Sequence, residues 1–142
     1  MHMDDNNIKE IGVKSIDNER IKHDFEELSK RIIGAAIEVH RELGPGFLES
    51  IYEQALKVAF TKHNFHFESQ KEIKIKYLGV EVGQHRLDLL VENQIIIEIE
   101  AVKELIDIHF AQLRSYLKAT GLKTGLLLNF AKLTLEIKRV VN

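Results

Sequence analysis

The chain has no cysteine, no tryptophan and a single proline among its 142 residues. Without thiols there is neither a disulfide scaffold nor a thiolate metal site, and the expected setting is a reducing cytoplasm. No apolar run approaches the roughly 20 residues that span a membrane; the longest, such as Ile95-Ile96-Ile97 and Leu126-Leu127-Leu128, are short. Residues 1–7 are polar and acidic, so no secretory leader is expected there. Charge of one sign is scarce too. With a formal net charge of −2, global attraction to nucleic acid is excluded, and any such binding must rest on a local basic patch. What remains is an ordinary globular mixture, 44% hydrophobic and 30% charged. Its length suits one domain.

Residues 1–22 are polar and weakly periodic, and are expected to form a flexible or loosely docked extension to a single domain over 23–142. A helical pattern follows over 24–43, with Leu28, Ile32, Ala35, Ala36, Val39 and Leu43 on one face. Gly44-Pro45-Gly46 stops it. A second helix is expected over 47–63, with an apolar stripe at Leu48, Ile51, Ala55 and Ala59. The middle of the chain changes period. Ile73, Ile75 and Tyr77 alternate with charged residues, which predicts a half-buried strand. Leu78-Gly79 turns it into a second strand over 80–91, with a bulge expected at Gly83, where the apolar parity shifts. A turn at Glu92-Asn93-Gln94 leads into a third strand over 95–102. A helix over 107–120 ending at Gly121, with Ile106, Phe110, Leu113 and Leu117 as its core stripe, precedes strands over 125–130 and 135–141. The order is α, α, β, β, β, α, β, β.

The third strand carries the first sign of chemistry. Its isoleucines mark it as central and buried, yet Glu98 and Glu100 interrupt it, both on the face opposite Ile97 and Ile99. Carboxylates in such a place are exposed, paired or bound to a metal. Asp88 lies in another apolar run, Arg86-Leu87-Asp88-Leu89-Leu90. Whether these acids meet depends on register. A two-residue turn would put Asp88 opposite Ile99, with Asp88 and Glu98 on different faces. A three-residue turn pairs Val91 with Ile95 and Asp88 with Glu98, about 5 Å apart at Cβ, close enough to share a cation. The second register is predicted, because it collects the acids on one face and because asparagine tolerates the left-handed backbone such a turn needs.

The segment Gly46-Phe47-Leu48-Glu49-Ser50-Ile51-Tyr52 resembles the motif that names the GxxExxY family, a branch of the PD-(D/E)xK nuclease superfamily. The likeness extends through residues 33–40, Arg86-Leu87-Asp88-Leu89-Leu90, Gln112 to Tyr116, and Leu126-Leu127-Leu128-Asn129-Phe130. It implies a mixed α/β fold, a restriction-endonuclease-like core αβββαβ with a mixed central sheet flanked by helices. It also implies that Asp88 and Glu98 bind metal, joined by Glu49, the acid of the first core helix. Gln112 and Tyr116 resemble the Q-x-x-x-Y motif of RecB-like nucleases, and Tyr52, one turn from Glu49 on the same helix face, is either a packing residue or a support for Glu49. The superfamily signature ends in E-x-K, whereas here it reads Glu98-Ile99-Glu100. Lys103, turned to the other face while the strand continues, is not expected to substitute.

The resemblance implies a nuclease that hydrolyses DNA or RNA with Mg²⁺, or Mn²⁺ in its place, held by carboxylates that leave room for water. Glu49, Asp88, Glu98 and Glu100 form the expected catalytic set, with Glu100 taking a proton from the attacking water or helping to hold a second ion. A catalytically weakened protein that binds nucleic acid or a protein partner is the alternative, and a homodimer is compatible with either. His40 and His109, on helix flanks without an H-x-x-x-H pair, are read as structural. Lys118, Lys123, Lys132, Lys138 and Arg139 are the cations available for backbone contacts in the C-terminal half.

Overall fold

Alternating strands and amphipathic helices in this order can close only by laying helices on a sheet. A computed structural model describes residues 5–142, with side chains from residue 18 onward. Of the expected flexible extension over 1–22, residues 1–4 and the side chains of residues 5–17 lie outside the described part. The elements are α1 (Asp5–Leu43), α2 (Glu49–Lys62), β1 (Phe67–Tyr77), β2 (Val80–Val91), β3 (Ile95–Glu100), α3 (Asp107–Thr120), β4 (Thr124–Asn129) and β5 (Glu136–Val141). Helix α1 begins well before the expected start at residue 24. The chain divides into two units at Ile32/Ile33, and the candidate site lies wholly in the second, Ile33–Asn142.

The five strands form one sheet in the order β1-β2-β3-β4-β5. Three neighbouring pairs are antiparallel, and β3–β4 is parallel. A parallel pair needs a crossover, and α3 supplies it. The most apolar strand, β3, is central. On one face of the sheet, Leu113 and Leu117 of α3 pack with Leu87, Ile96, Leu127 and Val140. The contact between α3 and β4 is close: a Cβ built on Gly125 would lie 2.6 Å from Leu113 Cδ1.

Two expected stripes are corrected. In α2 the buried residues are Tyr52, Leu56, Ala59 and Phe60, whereas Leu48 is 75% and Ile51 45% exposed. The bulkier series at i, i+4 and i+8 wins the core, because it removes more apolar area from water. In α3, Ile106 is the exposed N-cap rather than a core residue. The expected bulge does form. Ile75 pairs with Gly83 but Lys76 with Glu81, leaving Val82 as the extra residue.

Candidate functional site

The β2–β3 hairpin has the expected register: Val91 opposes Ile95, Leu90 opposes Ile96 and Leu89 opposes Ile97. Glu92 and Asn93 in its turn both adopt left-handed backbone, at φ 54°. The paired ladder stops at Leu89 and Ile97, one step short of Asp88 and Glu98, whose carboxyls nonetheless interact. The side chain of Asp88 takes over from the backbone there. Its Oδ2 accepts the Ile99 N–H at 2.8 Å, which satisfies a donor that the end of the ladder would otherwise strand.

Glu98 is only 9% exposed, and its Oε1 is buried without a hydrogen-bond partner among the described residues. Burial pushes its carboxyl up to about 10. The Asp88 carboxylate adds to this, both by repelling a second negative charge and by hydrogen-bonding the protonated form, and Glu100 repels it more weakly. These effects all favour the protonated form of Glu98. Glu100, on the rim, is also raised, first by burial and then by the charge of Glu49, with His109 pulling the other way. Glu49 is exposed at the start of α2 and accepts the Ala101 N–H on Oε1 at 3.3 Å. Asn129 fixes the stretch that donates that bond. Fully buried at the end of β4, it accepts the Val102 N–H at 3.1 Å and donates to the Val102 carbonyl at 2.8 Å.

A cleft of about 190 Å³ opens beside these groups, lined by Glu49, Ser50, Glu53, Gln70, Asp88 and Ile99. Glu53 and Gln70 were not legible as site residues. Glu53 lies one helical turn after Glu49, and that i, i+4 spacing was the available signal. Burial raises its carboxyl, and Asp88 adds to this against the opposing Gln70 amide, which donates to Glu53 Oε1 at 2.6 Å. Gln70 stands in β1 with left-handed backbone at φ 53°, which costs a non-glycine residue roughly 1 kcal/mol. Nothing in its sequence neighbourhood announces that.

The other expected residues divide. Tyr116 is half-buried, and its hydroxyl is raised by burial and then by the charges of Glu98, Asp88 and Glu100. Gln112 is exposed and has no hydrogen bond among the described residues. Tyr52 does not support Glu49, since its hydroxyl donates to the Gly44 carbonyl at 2.6 Å and accepts the Phe47 N–H at 3.1 Å. Its ring stacks on Phe130 with centroids 4.4 Å apart. It pins the turn between α1 and α2. Lys103 is exposed beyond the end of β3, where strand alternation no longer sets the face of a side chain. His40 bonds the Lys132 carbonyl at 2.8 Å, a structural role. His109, set aside on sequence grounds, stands beside the site. Its Nδ1 accepts the Ile106 N–H at 2.9 Å, which leaves the proton on Nε2, 4.0 Å from Glu100 Oε2.

A ready-made cage of Glu49, Asp88 and Glu98 is not present: among the described residues no three His, Cys, Asp or Glu side chains are gathered closely enough to hold an ion. Two adjoining carboxyls with one unpartnered oxygen do fit a hard cation of the Mg²⁺ type, which keeps several waters and takes only one or two carboxylates from the protein. Glu49 is held away by its backbone bond to Ala101.

Among the described residues no helix is long and apolar enough to cross a membrane. No curated protein matches the chain. The crystal structure of SSO0001 matches with a TM-score of 0.50 and 21% identity, over 66% of this chain and 49% of that one. The likeness thus spans about half of that protein and concerns the fold, which is restriction-endonuclease-like. The profile of the PD-(D/E)XK nuclease superfamily matches residues 26–140, a span that includes α2, β2, β3 and α3. The chain therefore belongs to the PD-(D/E)XK nuclease superfamily.

Proposed function

We propose that this chain is a divalent-metal-dependent nuclease of the GxxExxY type, hydrolysing phosphodiester bonds in DNA, with RNA as the alternative substrate. The observation that carries the reading is the buried, unpartnered Oε1 of Glu98 set against Asp88. A fold gains nothing from burying two carboxyls together unless something else uses them. In this reading Asp88 and Glu98 hold Mg²⁺, or Mn²⁺ in its place, and Glu49 joins through a water. When bound, the ion would neutralise phosphate charge and make a water acidic enough to attack. Glu100 is the base that would accept the proton of the attacking water; burial and the charge of Glu49 raise its carboxyl above the ordinary value. His109 orients Glu100 from the α3 side, and Tyr116 donates to a phosphate oxygen. We assign the domain to residues 23–142 and its work to the cytoplasm.

The replacement of the signature lysine by Glu100 favours a second reading, a weakened enzyme that binds nucleic acid or a protein partner. One assay separates the two. Linear and circular DNA, and RNA, are incubated with Mg²⁺ or Mn²⁺ beside a chelator control. The nuclease reading expects cleavage that the chelator stops and that Glu98→Gln reduces to background. Undiminished cutting by Glu98→Gln overturns the site assignment, whereas metal binding without cleavage selects the second reading.

A further inference from the structure

A second, larger groove of about 690 Å³ lies between β1–β2 and α3. Its charged lining is of one sign: Lys74 and Lys76 from β1 and Lys118 from α3, all exposed. Lys74 reaches Glu81 at 3.9 Å, while Lys76 and Lys118 have no ion pair among the described residues. In a chain of net charge −2 this is a local basic patch of the kind that nucleic-acid binding would require. Between the lysines, His85 and Tyr116 form a ring stack with centroids 3.9 Å apart and planes 14° from parallel. His85 Nε2 is buried without a hydrogen-bond partner among the described residues. That arrangement costs stability, so packing alone does not account for it. Tyr116 lines the groove, and its hydroxyl, raised first by burial, also feels the charges of Glu98, Asp88 and Glu100.

Resting on the nuclease reading of the neighbouring acids, we propose that this groove seats a single-stranded segment of nucleic acid. Lys74, Lys76 and Lys118 contact its phosphates, and the His85–Tyr116 stack serves as the platform on which a base lies. The strand passes from this platform to the acidic cleft by way of Tyr116. Bases within a duplex are already stacked on one another and cannot reach an aromatic platform, whereas unpaired bases can. The volume points the same way, being that of a small-ligand pocket rather than of a duplex flank.

The test is fluorescence anisotropy of a labelled mixed-sequence single strand and of a hairpin duplex, in chelator so that nothing is cut. The single strand should bind the wild type more tightly than the duplex. His85→Ala should weaken single-strand binding roughly 10-fold. Lys76→Glu/Lys118→Glu should weaken it further and reduce the log–log salt slope by about 1.4, at roughly 0.7 per lost contact. Lys138→Glu/Arg139→Glu changes charge equally on β5, at the opposite edge of the sheet, and should lose much less. Equal or tighter duplex binding, wild-type affinity in both groove variants, or an equal loss in the β5 variant overturns the proposal. A wild type that binds through this groove yet never cuts DNA or RNA supports the groove and sinks the nuclease reading. A wild type that cuts while both groove variants bind undiminished sinks the groove alone.

Discussion

Glu98 concentrates the physics of this protein in one side chain. Folding moves it from water to a place that is 9% exposed, beside a second carboxyl, and its pKa rises from the ordinary 4.5 to about 10. The folded value lies above the unfolded one, so the metal-free fold favours the protonated form. Its contribution to stability is fully present below about pH 4.5 and is lost as pH rises towards 10. Glutamine keeps the shape and removes the titration. Glu98→Gln should therefore match the metal-free wild type near pH 4 and exceed it increasingly above that, by on the order of 3 kcal/mol at pH 7. Denaturant unfolding in chelator at several pH values measures the gap, and a gap independent of pH would contradict the burial argument. The acid pair was legible beforehand, because acids interrupting apolar strands are conspicuous. Glu53 and Gln70 were not, since one looks like a surface helix residue and the other follows no alternation.

At the scale of elements, the site depends on where a ladder ends. β2 and β3 pair through Leu89 and Ile97 and no further, and the Asp88 carboxylate takes the Ile99 N–H that a continued ladder would have used. The turn length fixes the pairing of Val91 with Ile95, because side-chain period and register are locked together in a strand; the Asp88–Glu98 step itself lies beyond the paired ladder. The faces of α2 and the start of α3 were harder. Several apolar residues compete for burial in α2, and only the packed sheet decides which stripe it accepts. Helix α3 in turn depends on the missing side chain at Gly125, where an added Cβ meets Leu113 at 2.6 Å. Leu113 is fully buried and has little room to withdraw. Gly125→Ala should cost about 1–3 kcal/mol through overpacking, read as a lower thermal midpoint, and a midpoint at or above wild type would show that the interface can shift.

For the whole molecule, charge distribution matters more than total charge. The net charge of −2 conceals an acidic cleft and a separate groove lined by lysines and by Tyr116. Bringing acids together opposes folding, so a cation bound between them would raise stability. Adding Mg²⁺ or Mn²⁺ near pH 7 should raise the thermal midpoint, by about 2.7 kcal/mol of stability at a hundredfold excess over the dissociation constant. A chelator should reverse the rise, and Asp88→Asn/Glu98→Gln should not show it. An equal rise in the double variant would place the ion elsewhere. Of the other cations singled out in the sequence, only Lys118 lines the groove; Lys132 instead reaches Glu104 at 3.2 Å.

The element order and the hairpin register followed from the sequence alone, because each rests on local periodicity and turn length. Tertiary structure alone decided the rest. It holds Glu49 on the Ala101 amide, turns Tyr52 to the Gly44 carbonyl, brings His109 to Glu100 and stacks His85 on Tyr116. Those contacts join segments far apart in the chain or compete with equally good local alternatives. Packing of the helices on the twisted sheet selects among them, and no local pattern encodes that choice.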